Sequence, residues 1–285
     1  MFKRKNRVPG LIKFNDLSKD RVQKFKKFPH YLYNTDVYII EGKFKGYENE
    51  TENFDFHDLL IKKIPFLDNI FNNVYGVYIC GSVLPLSFVS DSNDNLKDID
   101  IAIENAHLYI SIREIRSNIK RILRSNSKFI VINNSKFSLT FTYMNKKYKL
   151  DLFGFDGRIE NLVRIFHLPC VRGYYSTFYK NLYCFASFIR AIYTGINYNT
   201  KNRNFFGTVD KMDIYKKYHN YGFGSVFNKK DAEVFLKYVN TNYKIKKIKK
   251  YIPHEELINN EYAKKFYSKH IGDITLYEFY VESLI

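Results

Sequence analysis

Two aspartates two residues apart, Asp98 and Asp100, open an apolar run that continues Ile101-Ala102-Ile103. Side chains on a strand alternate between faces. This spacing therefore sends both carboxylates to one side of a sheet while Ile99, Ile101 and Ile103 enter the core. Like charges held that close repel one another, so a rigid pair of this kind calls for a cation between them. Upstream, the run Val74 to Cys80 reads as a buried strand that ends in Gly81-Ser82. Backbone N–H groups and a hydroxyl at such a turn suit phosphate oxygens. Together these parts suit a metal-bound nucleoside triphosphate.

Length and composition limit the classes open to the chain. Its 285 residues suffice for two domains or one large one. No apolar run approaches the roughly 18 residues of a membrane span. The basic start, Met1 to Arg7, is not followed by an apolar stretch, so no secretory signal is read. Cys80, Cys170 and Cys184 are odd in number and lack paired spacing, which fits neither a disulfide framework nor a zinc site and implies a reducing, cytoplasmic setting. The net charge of +17 points to a polyanionic partner such as nucleic acid. Lys, Asn, Ile, Tyr and Phe are all abundant and Trp is absent, however, as AT-rich coding would also impose. A solvated basic surface would carry the same charge.

The pattern along the chain divides it into residues 1–54, a basic arm packing on the core, irregular over 1–35 with a short helix near Leu17 to Lys27; 55–158, a core; and 159–285, a mainly helical domain. In the core a helix is predicted over Phe56 to Phe71, divided at Pro65, and another over His107 to Leu123. Strands are predicted at Asp98 to Ile103, Phe129 to Ile132, Phe137 to Tyr143 and Tyr148 to Phe153, with Asn145-Lys146 as a hairpin turn. This order is α+β with a mixed sheet. Beyond the core, helices are predicted over Ser176 to Tyr193, with Gly195 as the stop, and over 209–219, 230–239 and 254–268.

Gly81-Ser82, then Asp98-Ile99-Asp100, then a lone aspartate in the apolar strand Lys149-Leu150-Asp151-Leu152-Phe153 resembles the DNA polymerase β-type nucleotidyltransferase superfamily. That group includes poly(A) polymerases, CCA-adding enzymes, antibiotic- and tRNA-modifying transferases and cyclic-dinucleotide synthases. The likeness covers residues 55–155. The gap between Ser82 and Asp98 is longer than the family pattern, and Ser90 to Asn95 reads as an extra turn in a surface loop. The resemblance implies that Asp98, Asp100 and Asp151 are catalytic and hold two Mg²⁺ ions, with Mn²⁺ as a substitute. Gly81, Ser82 and a basic residue from the second domain would bind an NTP, ATP by preference. Lys180, placed near the start of the predicted helix, is the candidate for that basic residue. Ser82 is also expected to cap the segment Val83 to Phe88. The implied reaction is template-independent transfer of a nucleoside monophosphate to a hydroxyl, with an RNA 3′ end as the favoured acceptor. A protein, a small molecule or a second nucleotide would serve the same chemistry, and a non-catalytic RNA-binding relative is the alternative from another class. The oligomeric state is not readable.

Other features carry less. Asp91, Asn93 and Asn95 lack the glycine and terminal glutamate of a calcium loop, and a P-loop is absent. His167 and Cys170 read as structural. Tyr174 and Tyr175 are candidates for stacking on a base. Lys211 to Gly224 mixes lysines with aromatics as a nucleic-acid surface would. Lys244 to Lys250 would place Ile245, Ile248 and Ile252 on one helical face under lysines.

Overall fold

The alternating and apolar runs form two sheets with helices laid against them. The computed structural model describes residues 11–26, 37–48, 54–71, 75–89, 98–104, 112–135, 137–198, 209–239 and 245–248, the last by backbone alone. The described chain opens with β1 (Leu11–Lys13), α1 (Lys19–Lys26) and β2 (Val37–Ile40). Then come α2 (Phe56–Lys63), α3 (Leu67–Phe71), β3 (Val77–Cys80) and the single turn α4 (Val83–Leu86). Strand β4 (Asp98–Glu104) precedes α5 (Ile112–Ser125), and β5 (Phe129–Asn134), β6 (Ser138–Tyr143) and β7 (Lys146–Phe155) form a meander. Next are α6 (Ile159–Arg164), β8 (Gly173–Ser176), β9 (Asn181–Phe185), α7 (Ala186–Thr194) and β10 (Ile196–Asn197). The last described elements are α8 (Lys211–Asn220), β11 (Gly224–Phe227), α9 (Lys229–Val239) and β12 (Ile245–Ile248).

Local chemistry explains several boundaries. The Asp55 carboxylate accepts the His57 N–H at 2.9 Å and starts α2. Pro65 falls between α2 and α3, where a missing N–H does least harm. Met144 and Asn145, at φ 49° and 62°, make a two-residue hairpin loop between β6 and β7. The turn sits one residue earlier than the sequence predicts, because left-handed geometry is required at both loop positions. Lys146 already pairs with Tyr143.

The main sheet has eight strands in the order β1-β9-β8-β3-β4-β7-β6-β5. Its neighbours are antiparallel except β4 and β7, which run parallel. One face carries Ile99, Ile101, Ile103, Leu139, Phe141, Leu150 and Leu152, all buried in the principal core. Helix α5 adds Ile115, Ile119 and Leu123 to that core. The Phe66 ring lies 4.7–6.0 Å from the rings of Phe129, Phe141, Tyr143 and Tyr148, which locks the segment between α2 and α3 onto the sheet. On the opposite face Tyr78, Cys80, Ala102, Tyr174 and Phe185 pack with Ile159 and Val163 of α6. The second sheet has the order β10-β11-β2-β12. No helix of the described residues is long and apolar enough to cross a membrane.

Several expectations differ from the structure. The helix predicted over Ser176 to Tyr193 is a hairpin followed by a shorter helix: β8 and β9 turn through Lys180 at φ 50°, and α7 begins only at Ala186. Aromatic and apolar residues there satisfy either period, and pairing with β1 and β8 decides for strand. A separate, mainly helical domain after residue 158 is not shown by the described residues, which hold α6 to α9 together with five strands. Strands β8 and β9 join the main sheet, which therefore runs past residue 158, and β10 to β12 join the second sheet. The arm, expected to be irregular over 1–35, contributes β1 to the main sheet within that range, and β2 beyond it joins the second sheet. Residues 245–248 are a strand rather than part of a helix, because their backbone pairs with β2. The loop Asp91 to Asn95 and the predicted helix over 254–268 lie outside the described residues.

Candidate active site

Strand register sets this site. Asp100 and Asp151 are directly opposite on the parallel neighbours β4 and β7, and Asp98 is opposite Lys149. Alternation turns Asp98, Asp100, Lys149 and Asp151 to one face, while Ile99, Ile101, Leu150 and Leu152 are buried on the other. Antiparallel pairing of Cys80 with Asp100 brings the end of β3, and hence Gly81-Ser82, to the same place. Gly81 has φ +76°, and a Cβ there would stand 2.0 Å from Asp100 Oδ2. The glycine thus serves both the turn and the seat of the carboxylate.

Electrostatics reflect the crowding. Asp98 is exposed, Asp100 and Asp151 half-buried. Burial pushes the Asp100 carboxyl up to about 6; Asp151 and Asp98 push in the same direction, and Lys217 and Lys149 oppose them. Lys149 Nζ donates to Asp151 Oδ2 at 2.6 Å. That bond, above all, raises the Lys149 proton affinity, and the neighbouring carboxylates add to it. Three carboxylates therefore face two lysines. As the side chains stand, no three acidic, His or Cys groups among the described residues close around one point as a metal site requires. The donor chemistry nevertheless fits a hard divalent cation. All three candidates offer carboxylate oxygens, and the half-buried Asp100 shares their mutual repulsion, which a cation would relieve.

Lys217 was not expected here. It comes from α8, and its charge acts on Asp100 and on His167. Burial, Lys217 and Arg172 together hold His167 down to about 4, so at neutral pH it is an uncharged ring. Tyr218 and Tyr221 accompany Lys217, whose Nζ is 5.9 Å from each ring centroid. Burial raises the Tyr221 hydroxyl, and Asp98 and Asp100 raise it further. The carboxylates thus meet a lysine and aromatic rings from the segment Lys211 to Gly224. The chain separation hid the lysine's place; only the lysine–aromatic mixture hinted at a role. Lys149 was open to inference, since it stands two residues before Asp151 and must share its face.

Lys180 is not brought to this site. The β8–β9 turn lies beyond Val77, at the start of β3, where Thr177 Oγ1 donates to the Val77 carbonyl at 2.9 Å. Gly81 is at the other end of that strand. Lys180 Nζ instead donates to Asp68 Oδ2 at 3.2 Å. Ser82 is buried and makes no capping hydrogen bond to α4. Tyr174 and Tyr175 are 2% and 1% exposed and have no face open to a base. Cys80, Cys170 and Cys184 are free and buried, and burial raises all three thiols.

No known family model matches the sequence. The chain is similar to an uncharacterised protein, R338, of Acanthamoeba polyphaga mimivirus, with 32% identity over 102 residues. Those residues are 35% of this chain and 11% of the viral protein, so the chain spans a small part of that relative's length.

Proposed function

We propose that the chain is a divalent-metal-dependent nucleotidyltransferase of the DNA polymerase β type, with a nucleotidyltransferase core built on the main sheet. It moves a nucleoside monophosphate, AMP from ATP by preference, to a hydroxyl and releases pyrophosphate. An RNA 3′ end is the acceptor that the net charge of +17 favours. The observation that carries this reading is the meeting of Asp98, Asp100 and Asp151 on one face, with Asp100 seated against Gly81.

Asp98, Asp100 and Asp151 would hold the Mg²⁺ ions, whose chemistry is to stabilise the attacking and leaving oxygens of an in-line displacement. The protein's own groups do the rest. The N–H groups after Gly81 and the Ser82 hydroxyl receive the terminal phosphates. Lys217, whose charge acts on Asp100, supplies the positive charge, the role the sequence reading gave to Lys180. Asp151 positions the acceptor hydroxyl, and Lys149 must release it to do so.

The Lys149–Asp151 bond at 2.6 Å also favours a second reading, a non-catalytic RNA-binding relative in which an internal lysine replaces the metal. One assay separates the two. Purified protein is incubated with each α-labelled NTP, Mg²⁺ or Mn²⁺ and total RNA. Label on RNA supports tailing, and label on protein or in small products redirects the acceptor. No label from folded protein would leave the second reading.

A further inference from the structure

Helix α5 separates apolar from charged residues more sharply than any other described helix, and its one acid, the exposed Glu114, lies on the outer side about 20° around the axis from Arg121. Ile115, Ile119 and Leu123 are buried in the principal core. At 3.6 residues per turn they and Ile112 and Ile122 fall within an arc of about 100°, while Arg113, Arg116, Lys120, Arg121 and Arg124 fall within about 140° on the other side. Arg113, Arg121 and Arg124 are exposed, as is Lys128 just beyond the helix. Arg113, Lys120, Arg121 and Arg124 have no acidic partner at ion-pair distance among the described residues.

Coding bias does not account for this face. The chain has thirty-four lysines and twelve arginines, yet α5 holds four arginines and one lysine. Guanidinium is the group that pairs with phosphate through a two-pronged fork. Arg113, Arg116, Lys120 and Arg124 form a row along about 16 Å of helix, with steps of about 4.5–6 Å. Ser117 and Asn118, both exposed, offer further hydrogen bonds beside it. The apolar residues of α5 are turned to the core, so the helix has no apolar face to insert between lipids. A nucleic-acid backbone fits this surface better than a membrane does.

We propose that the outer face of α5 binds the phosphate backbone of an RNA strand. It packs on the sheet face opposite the carboxylates, and so holds the acceptor away from its reacting end. This rests on the reading of the acceptor as RNA, but not on catalysis.

The test is binding of a fluorescent single-stranded RNA to the full chain across a range of NaCl concentrations. Arg113→Gln, Arg121→Gln and Arg124→Gln together should weaken binding tens-fold near 0.1 M salt and lower the salt slope by about 2, since each phosphate contact contributes about 0.7 on single strands. The corresponding Arg→Lys triple variant should keep most of the slope, which excludes misfolding as the cause. Asp98→Asn should bind RNA normally, so failure of the transferase reading and of this one are distinguishable. Unchanged affinity and slope in the Gln variant would overturn the proposal. So would binding to phosphatidylserine vesicles with no binding to RNA.

Discussion

Two acidic sites, the single carboxylate of Asp68 on α3 and the three aspartates on the main sheet, meet their lysines in opposite ways. Near the start of β3, Asp68 accepts from Lys180 Nζ at 3.2 Å and lies 3.4 Å from His57 Nε2, while His57 Nδ1 is 2.6 Å from the Tyr175 hydroxyl. One carboxylate there has more partners than it needs, and the cluster ties α2, α3 and the β8–β9 turn together. At the other end of β3, Asp98, Asp100 and Asp151 face Lys149 and Lys217, and Asp100 is pushed up to about 6. Negative charge there exceeds what the protein supplies to balance it. Under the proposed function, the balanced site does structural work and the unbalanced one is held ready for a ligand.

The largest test of this contrast is catalytic. Asp98→Asn or Asp100→Asn should lower nucleotide transfer on the order of 10³-fold, whereas Asp68→Asn should leave the rate within about twofold, by the labelled-NTP assay. Next come the two lysines. Lys217→Met should raise the KM for NTP about tenfold or more, the value of a charged hydrogen bond, and Lys180→Met should not. Equal effects of the two would erase the distinction.

The pH response should also divide the clusters. Asp100 holds its proton more tightly folded than unfolded, so metal-free protein binds more protons than the unfolded chain between about pH 4 and 6. Its contribution to stability is complete below that window and is lost as pH rises through about 6. Asp100→Asn should remove this loss and raise metal-free stability at neutral pH by on the order of 2 kcal/mol, measured by urea unfolding. The smallest effect belongs to the balanced cluster. Asp68→Asn should cost about 0.5–1 kcal/mol, since both partners are partly solvated.

The sequence made the candidate carboxylates legible because a two-residue period assigns faces without any knowledge of neighbours. Asp98 and Asp100 needed nothing more. That β7 lies beside β4, with Asp151 across from Asp100, depends on a crossover through α5, β5 and β6, which spacing alone does not specify. The error at Lys180 had a definite cause. Phe178, Leu182 and Phe185 have helical spacing, but in β9 Leu182 and Cys184 are buried on one face of the sheet at a period of two, and Phe185 is buried on the other. Lys217 was hidden by its distance along the chain: no local pattern says that α8 delivers it to a site assembled by β3, β4 and β7.

The most direct measurement is a Mn²⁺ anomalous diffraction map of crystals soaked with the ion and a non-hydrolysable ATP analogue. Peaks within coordination distance of Asp98, Asp100 and Asp151, with Lys149 displaced from Asp151 and the triphosphate against Gly81-Ser82, are the expected result. A map without a peak there, with Lys149 still bound to Asp151, would contradict it.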